Sequence, residues 1–179
     1  MDKAPALLPP IEADGISVEG MQSIQVAALR YFEATGPFAG AVQDCVGAPL
    51  PPPLTAAATH APGGAQCILA WRSPTETWLL CDDPAAFAEM QERLLSPAGC
   101  MVNQTGGLCA LRLRGAKVRD LLLRLGASAS VPGVGEARSS RVADLHVLII
   151  SLEADDWILM VERVYVAHLL EWIGKTIAD

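Results

Sequence analysis

The chain is poor in charge and in aromatic rings, and both scarcities narrow what it can be. Of its 179 residues only 18% are Asp, Glu, Lys or Arg and 5% are Phe, Trp or Tyr, against 51% hydrophobic residues. Disorder needs the opposite balance of low hydrophobicity and high net charge, so a folded body is expected. No run of ~20 apolar residues occurs, which leaves no pattern for a membrane-spanning helix. The start, Met1-Asp2-Lys3-Ala4-Pro5, lacks the basic segment and apolar core of a secretory signal. The five cysteines, Cys45, Cys67, Cys81, Cys100 and Cys109, show no Cys-x-x-Cys spacing. They read as buried small hydrophobes in a reducing, cytoplasmic setting.

Motifs of catalysis are missing too. Gly133-Val134-Gly135 lacks the third glycine of a dinucleotide fingerprint and does not join a strand to a helix. There is no phosphate-binding Gly-x-x-x-x-Gly-Lys loop and no Gly-x-Ser-x-Gly elbow for a serine nucleophile. The three histidines, His60, His146 and His168, are far apart and lack a second ligand at metal spacing. Asp144 and His146 are expected to share a strand face, where a carboxylate can orient an imidazole, although an exposed polar stripe is the commoner reading. His168 and Glu171 fall at i, i+3 on a helix, which is ordinarily a surface pair. Cys67 and Cys81 lie equidistant from a turn centre and are expected to be cross-strand neighbours that pack rather than react. No catalytic or metal-binding residue and no cofactor on this chain is expected.

What the chain has is apolar content beyond the usual 45–50%, with a mean hydropathy of +0.32. Such a surplus predicts apolar surface covered by something else. The net charge is −7, which argues against nucleic acid as a partner. The charge is unevenly spread. Residues 112–141 carry +5, from Arg112, Arg114, Lys117, Arg119, Arg124, Arg138 and Arg141 against Asp120 and Glu136, and the remainder carries −12. A solvated face explains this as readily as a patch for an anionic ligand or an acidic partner, for which Arg112, Arg114, Lys117, Arg138 and Arg141 are the candidates.

Nine of the 13 prolines precede residue 63. They predict an extended arm over residues 1–20 and a long loop over residues 48–65. Between these, a strand is expected at residues 23–32. A helix follows, with Pro37 in its first turn, Phe38, Ala41, Val42 and Cys45 on one face, and Gly47 as its stop. Residues 67–71 and 78–81 form a hairpin around Ser73-Pro74-Thr75. Asp83 caps a helix that begins at Pro84 and buries Phe87, Met90, Leu94 and Leu95.

The order then begins again. Leu108 to Arg114 alternates as a half-buried strand, and Val118, Leu121, Leu122 and Leu125 make a helix face ended by Gly126. A loop over 128–140, a long strand over 142–152, a second strand over 157–162 and a final helix burying Tyr165, Leu169, Trp172 and Ile173 complete the chain. The four tryptophans, Trp71, Trp78, Trp157 and Trp172, are assigned to packing by default, with partner pockets as the other possibility.

The halves also share residues. Trp78-Leu79-Leu80-Cys81 matches Trp157-Ile158-Leu159-Met160 at a shift of 79, and Ala28-Leu29-Arg30 matches Ala110-Leu111-Arg112 at a shift of 82. A βαββα unit leaves a sheet face and an edge uncovered, so two such units are expected to bury them against each other. The predicted fold class is α+β: two pseudo-repeated ferredoxin-like βαββα halves with mixed or antiparallel sheets. They form one body over residues 21–179, divided at about 100, after the arm.

Certain stretches resemble a known family. Val102-Asn103-Gln104-Thr105, Ala110-Leu111-Arg112-Leu113-Arg114-Gly115 and residues 118–125 resemble the "V-D-x-S … L-x-G-x-x-A-x-x-L-L" signature of folate-dependent aminomethyltransferase folds, including the glycine cleavage T-protein. With residues 78–80, Val131-Pro132-Gly133, residues 140–145 and residues 157–173, the order resembles the gamma subunit family of heterotetrameric sarcosine oxidases, over roughly residues 66–175. Asn103 and Thr105 stand where that signature has Asp and Ser, and Lys117 where small or acidic residues are usual.

The resemblance implies a non-catalytic accessory subunit of a complex. Its larger flavin- and NAD-binding partners would carry FAD, FMN and NAD, oxidise sarcosine and pass the one-carbon unit to tetrahydrofolate. Two other readings stay open: a stand-alone folate-binding or one-carbon-transfer module, with the basic segment meeting the folate tail, and a homo-oligomer that covers its own apolar face.

Overall fold

The computed structural model describes residues 10–13, 15–127 and 130–178. Eight segments come first: strands β1 (Ile11–Ala13), β2 (Ile16–Gly20) and β3 (Gln25–Tyr31), helix α1 (Pro37–Val46), strands β4 (Ala56–His60), β5 (Gln66–Ser73) and β6 (Glu76–Cys81), and helix α2 (Pro84–Arg93). Strands β7 (Leu95–Ser96), β8 (Gly99–Asn103) and β9 (Leu108–Arg114) follow, then helix α3 (Val118–Leu122) with a wide turn over Leu123–Ala127. Strands β10 (Glu136–Val142), β11 (Leu145–Glu153) and β12 (Asp156–Glu162), a 3-10 turn (Arg163–Tyr165) and helix α4 (Val166–Ala178) close the chain.

All strand pairs are antiparallel, in two six-stranded sheets ordered β1-β2-β9-β12-β11-β10 and β7-β8-β3-β6-β5-β4. The two orders are the same order read through the repeat, so the α+β fold of two repeated halves is the one observed. The sheets face each other. One apolar cluster joins Val26, Ala70 and Leu80 of one sheet to Ala110, Leu148, Ile150, Ile158 and Met160 of the other. A second cluster packs α1 and α2 on the outer face of the β3 sheet, and a third packs α3 and α4 on the outer face of the β9 sheet. The result is four layers, helix–sheet–sheet–helix. Both faces of each sheet are therefore covered, which is why β11 and β12 carry runs of five consecutive buried residues. Much of the apolar surplus fills this double core instead of a free surface.

The halves exchange hairpins. The β1–β2 hairpin precedes the first half but pairs with β9 of the second, while β7–β8 precedes the second half and pairs with β3 of the first. Ile11–Ala13 and Ile16–Gly20 of the expected arm thus form strands of a sheet, and residues 1–9 and 14 lie outside the described residues. The loop expected at 48–65 contains β4, and the loop expected at 128–140 contains most of β10. The long strand expected at 142–152 is split by a turn at Ala143 and Asp144, both with positive φ (48° and 63°).

The repeat register also differs from the one the tryptophans suggest. Ala28 lies opposite Trp78, and Ala110 lies opposite Met160. A shift of 82 therefore relates β6 to β12 as it does β3 to β9. A shift of 79 differs from it by three, an odd number, and would turn each side chain to the other face. Trp78 indeed faces the other sheet, whereas Trp157 faces α3 and α4.

Helix α1 buries the expected Phe38, Val42 and Cys45, with Val46 in addition and Ala41 only partly covered, and Gly47 closes it in the left-handed region (φ 84°). Asp83 caps α2 by accepting from the Ala85 and Ala86 amides. Two expected faces are corrected. Leu95 belongs to β7 and is 75% exposed. In α4 the buried stripe is Val166, Leu169, Leu170 and Ile173, so Tyr165 and Trp172 sit half in solvent, each at 46% exposure. No helix among the described residues is long and apolar enough to cross a membrane.

Candidate functional site

The inter-sheet layer opens into solvent at two mouths, which the repeat makes equivalent. On β9 the residues facing the other sheet are Ala110 and then Arg112, so the apolar row ends in a cation at the rim. Under the shift of 82 the corresponding residues on β3 are Ala28 and Arg30. Each arginine meets a carboxylate on the neighbouring strand: Arg30 Nε donates to Glu76 Oε2 at 3.1 Å, and Arg112 Nε donates to Asp156 Oδ1 and Oδ2 at 2.9 and 3.0 Å.

The mouth at Arg112 is the larger, a cleft of about 410 Å³. Its walls are Met21, Ile24, Ile68, Leu80, Leu152 and Ile158, and its polar rim is His60, Gln66, Asp82, Arg112, Glu153 and Asp156. The mouth at Arg30 is about 300 Å³ and is reduced by Trp78. The Trp78 indole N–H donates to Glu76 Oε1 at 2.9 Å, and the Arg72 guanidinium lies 5.6 Å from the indole centroid. Arg72 also donates to Ser139 Oγ across the sheets at 2.9 Å.

The charges of the larger cleft are spent within the chain. Arg112 also donates through Nη2 to Asp156 Oδ2. The carboxylate bonds, with Glu19 and Glu153 nearby, hold its guanidinium above the ordinary arginine range. Arg114 donates to Glu19 Oε1 at 3.0 Å and lies 3.6 Å from Asp156. Arg138 is held by Glu136 of its own strand at 3.0 Å, and that contact, with the Gly133 amide, holds the Glu136 carboxyl below its usual value. Arg141 donates to the Asp144 carbonyl at 3.1 Å in the β10–β11 turn. Lys117 stands just before α3.

The structure therefore brings Arg112 and Arg114 together and places Arg138 and Arg141 on β10, at the far edge of the same sheet, with β12 and β11 between. The rim carries more carboxylates than arginines, which does not fit the phosphates of FAD, FMN or NAD or the glutamate tail of a folate.

The expected Asp144–His146 pair separates, and Glu171 takes Lys175 as its main partner with His168 still near it. Asp144 lies in the turn, fully exposed, and pairs with Arg141, so it does not share a strand face with His146. Glu171 accepts from Lys175 at 2.7 Å, while His168 meets the Trp172 ring edge-on. Asn103 and Thr105, which depart from the resembled signature, build a turn. Asn103 Oδ1 accepts from the Thr105 amide at 2.9 Å, and Thr105 Oγ1 accepts from the Val26 amide at 3.0 Å. This turn is the crossing from β8 to β9.

Arg163, given no role by the sequence pattern, clamps that crossing. It donates to the Thr105, Gly106 and Leu108 carbonyls at 2.9, 3.0 and 3.3 Å. Its signal was its place directly after an apolar strand, ahead of the final helix.

Cys67 and Cys81 are directly opposite on β5 and β6. Burial raises the Cys67 thiol pKa first, and the neighbouring Cys81 and Asp82 raise it further. Burial likewise raises Cys109 and Cys45. Among the described residues no three His, Cys, Asp or Glu side chains are grouped as metal ligands.

Comparison with known proteins adds to this geometry. Residues 31–179 match the sarcosine oxidase, gamma subunit family. Among solved structures, a heterotetrameric sarcosine oxidase from Corynebacterium sp. U-96, in complex with pyrrole 2-carboxylate, superposes with a TM-score of 0.77 at 17% identity, covering 91% of this chain and 84% of that one. The glycine cleavage system aminomethyltransferase T from Bartonella henselae superposes with a TM-score of 0.73 at 12% identity, covering 90% of this chain and 46% of that one. At these identities the superpositions show a shared fold. No curated protein matches the sequence.

Proposed function

Because the chain belongs to the sarcosine oxidase gamma subunit family, we propose that it is a non-catalytic accessory subunit of a sarcosine oxidase complex, supporting oxidative demethylation of sarcosine by larger subunits. In this reading the partners carry FAD, FMN and NAD and deliver the one-carbon unit to tetrahydrofolate. The complex is cytoplasmic, in keeping with five cysteines that remain free thiols.

The observation that carries the proposal is the family match over residues 31–179, on a fold whose rim arginines are already engaged by the chain's own carboxylates. Arg112 holds the mouth between the sheets. Arg114, Arg138 and Arg141, each still partly in solvent, supply charge to the partner-facing surface, where their carboxylates soften any preference for anions.

The test is omission. The large subunits are expressed with and without this chain, and sarcosine turnover and flavin content are compared. The proposal expects assemblies lacking the chain to be less stable or less loaded with flavin. Full activity and full flavin content without it would contradict the reading. Titration of the isolated chain with tetrahydrofolate separates the stand-alone alternative, which requires saturable heat.

A further inference from the structure

Two of the five thiols are placed as a pair. Cys67 and Cys81 form the last matched pair of the β5–β6 ladder. The flanking Asp82 amide donates to the Gln66 carbonyl at 3.1 Å, which makes Gln66 and Asp82 a hydrogen-bonded pair. In an antiparallel ladder the next pair is then non-hydrogen-bonded, with Cα atoms ~4.5 Å apart and side chains at their closest. A disulfide spans Cα separations of ~4.4–6.8 Å, a range that includes the spacing of such a pair.

The Cys81 thiol donates to the Asp83 carbonyl at 3.4 Å. Both side chains are buried on the sheet face turned toward α1 and α2, away from the inter-sheet cleft, and access to them comes by local opening at this end of the ladder, beside exposed Gln66 and Asp82. Neither Cys45 of α1, nor Cys100 of β8, nor Cys109 of β9 has a cysteine opposite it.

We propose that Cys67 and Cys81 are a redox-modification site, a thiol pair that hydrogen peroxide closes into a cross-strand disulfide. One sulfur attacks a peroxide oxygen and the O–O bond breaks. Its thiol proton leaves with the departing oxygen as water, and a sulfenic acid remains. The second sulfur attacks that sulfur and displaces its hydroxyl, which takes the second thiol proton and leaves as another water. Two thiols are oxidised by two electrons, one peroxide is reduced to two waters, and one S–S bond forms. The proposal stands whether or not the chain assembles with larger subunits.

The experiment uses the full chain, treated with hydrogen peroxide, unfolded, alkylated without reductant and mapped by mass spectrometry. The expected result is loss of two alkylatable thiols out of five, a Cys67–Cys81 cross-linked peptide, and recovery of both thiols with dithiothreitol. Cys81→Ala is expected to leave Cys67 as a sulfenic acid captured by dimedone. The wild-type peptide map stands on its own should that variant fold poorly. Five alkylatable thiols after peroxide would overturn the proposal. So would oxidation confined to Cys100 or to cross-links between chains, with Cys67 and Cys81 still free.

Discussion

Arg112 grips both carboxylate oxygens of Asp156, 44 residues away in sequence and on the adjacent strand, at the rim where the two sheets part. Their side chains retain only 34% and 15% of their exposure, so water screens the pair less than it screens a surface ion pair. Removing Arg112 leaves the largely buried Asp156 with only Arg114, 3.6 Å away, as its partner. Arg112→Ala is expected to cost about 2 kcal/mol in urea unfolding. Arg114→Ala, at a 48% exposed site, is expected to cost less than about 1 kcal/mol. The Arg112→Ala/Asp156→Ala double variant should lose less than the sum of the singles. Equal losses for Arg112 and Arg114 would show that the rim pair has no special weight.

Arg163 holds three carbonyls of the β8–β9 crossing with one planar guanidinium. Lysine cannot reproduce that fork. Arg163→Lys and Arg163→Ala are both expected to lower the thermal midpoint. Hydrogen exchange should rise at residues 104–108 in each variant. Unchanged exchange there would remove the clamp from the account.

Deleting residues 1–20 removes the β1–β2 hairpin and uncovers the edge of β9. An open edge pairs with other chains. Light scattering should show the truncated chain as oligomers or aggregates at concentrations where the full chain is uniform. A well-behaved truncated chain of unchanged stability would mean that the exchanged hairpin is dispensable.

Two glycines are expected to respond in opposite directions. Gly115 has φ +123°, and a side chain there would strike the Gly15 carbonyl. Gly115→Ala should therefore destabilise strongly, by more than ~1 kcal/mol. Gly174 lies inside α4 with open space around it, and Gly174→Ala should stabilise by about 0.5–1 kcal/mol. Chemical denaturation of both variants checks the pair.

The repeat, two of the four helix faces and the β9 strand were legible because they are local. Val118, Leu121, Leu122 and Leu125 repeat at helical spacing, and Leu108 to Arg114 alternates. Strand β4 was not legible, since Ala56-Ala57-Ala58 follows a proline run and carries neither alternation nor bulk. Most of β10, Glu136-Ala137-Arg138-Ser139-Ser140-Arg141, reads as a loop for the same reason.

Pairings between distant segments left no local trace. The partners of the basic stretch, Glu19 and Asp156, fall outside the window in which its charge is summed, so neutralised arginines looked like a patch. The exchange of hairpins is likewise a property of strand pairing. Composition was informative in a different way from first expected, because a four-layer fold buries both faces of each sheet and absorbs apolar residues that a single core would leave over.

The accessory-subunit reading is tested most directly by native mass spectrometry of the chain co-expressed with the large flavin-binding subunits of a sarcosine oxidase. The account predicts a stoichiometric assembly that includes this 18.9 kDa chain and sheds it only on activation. A complete assembly of the large subunits, with this chain found only free or bound to itself, would contradict it.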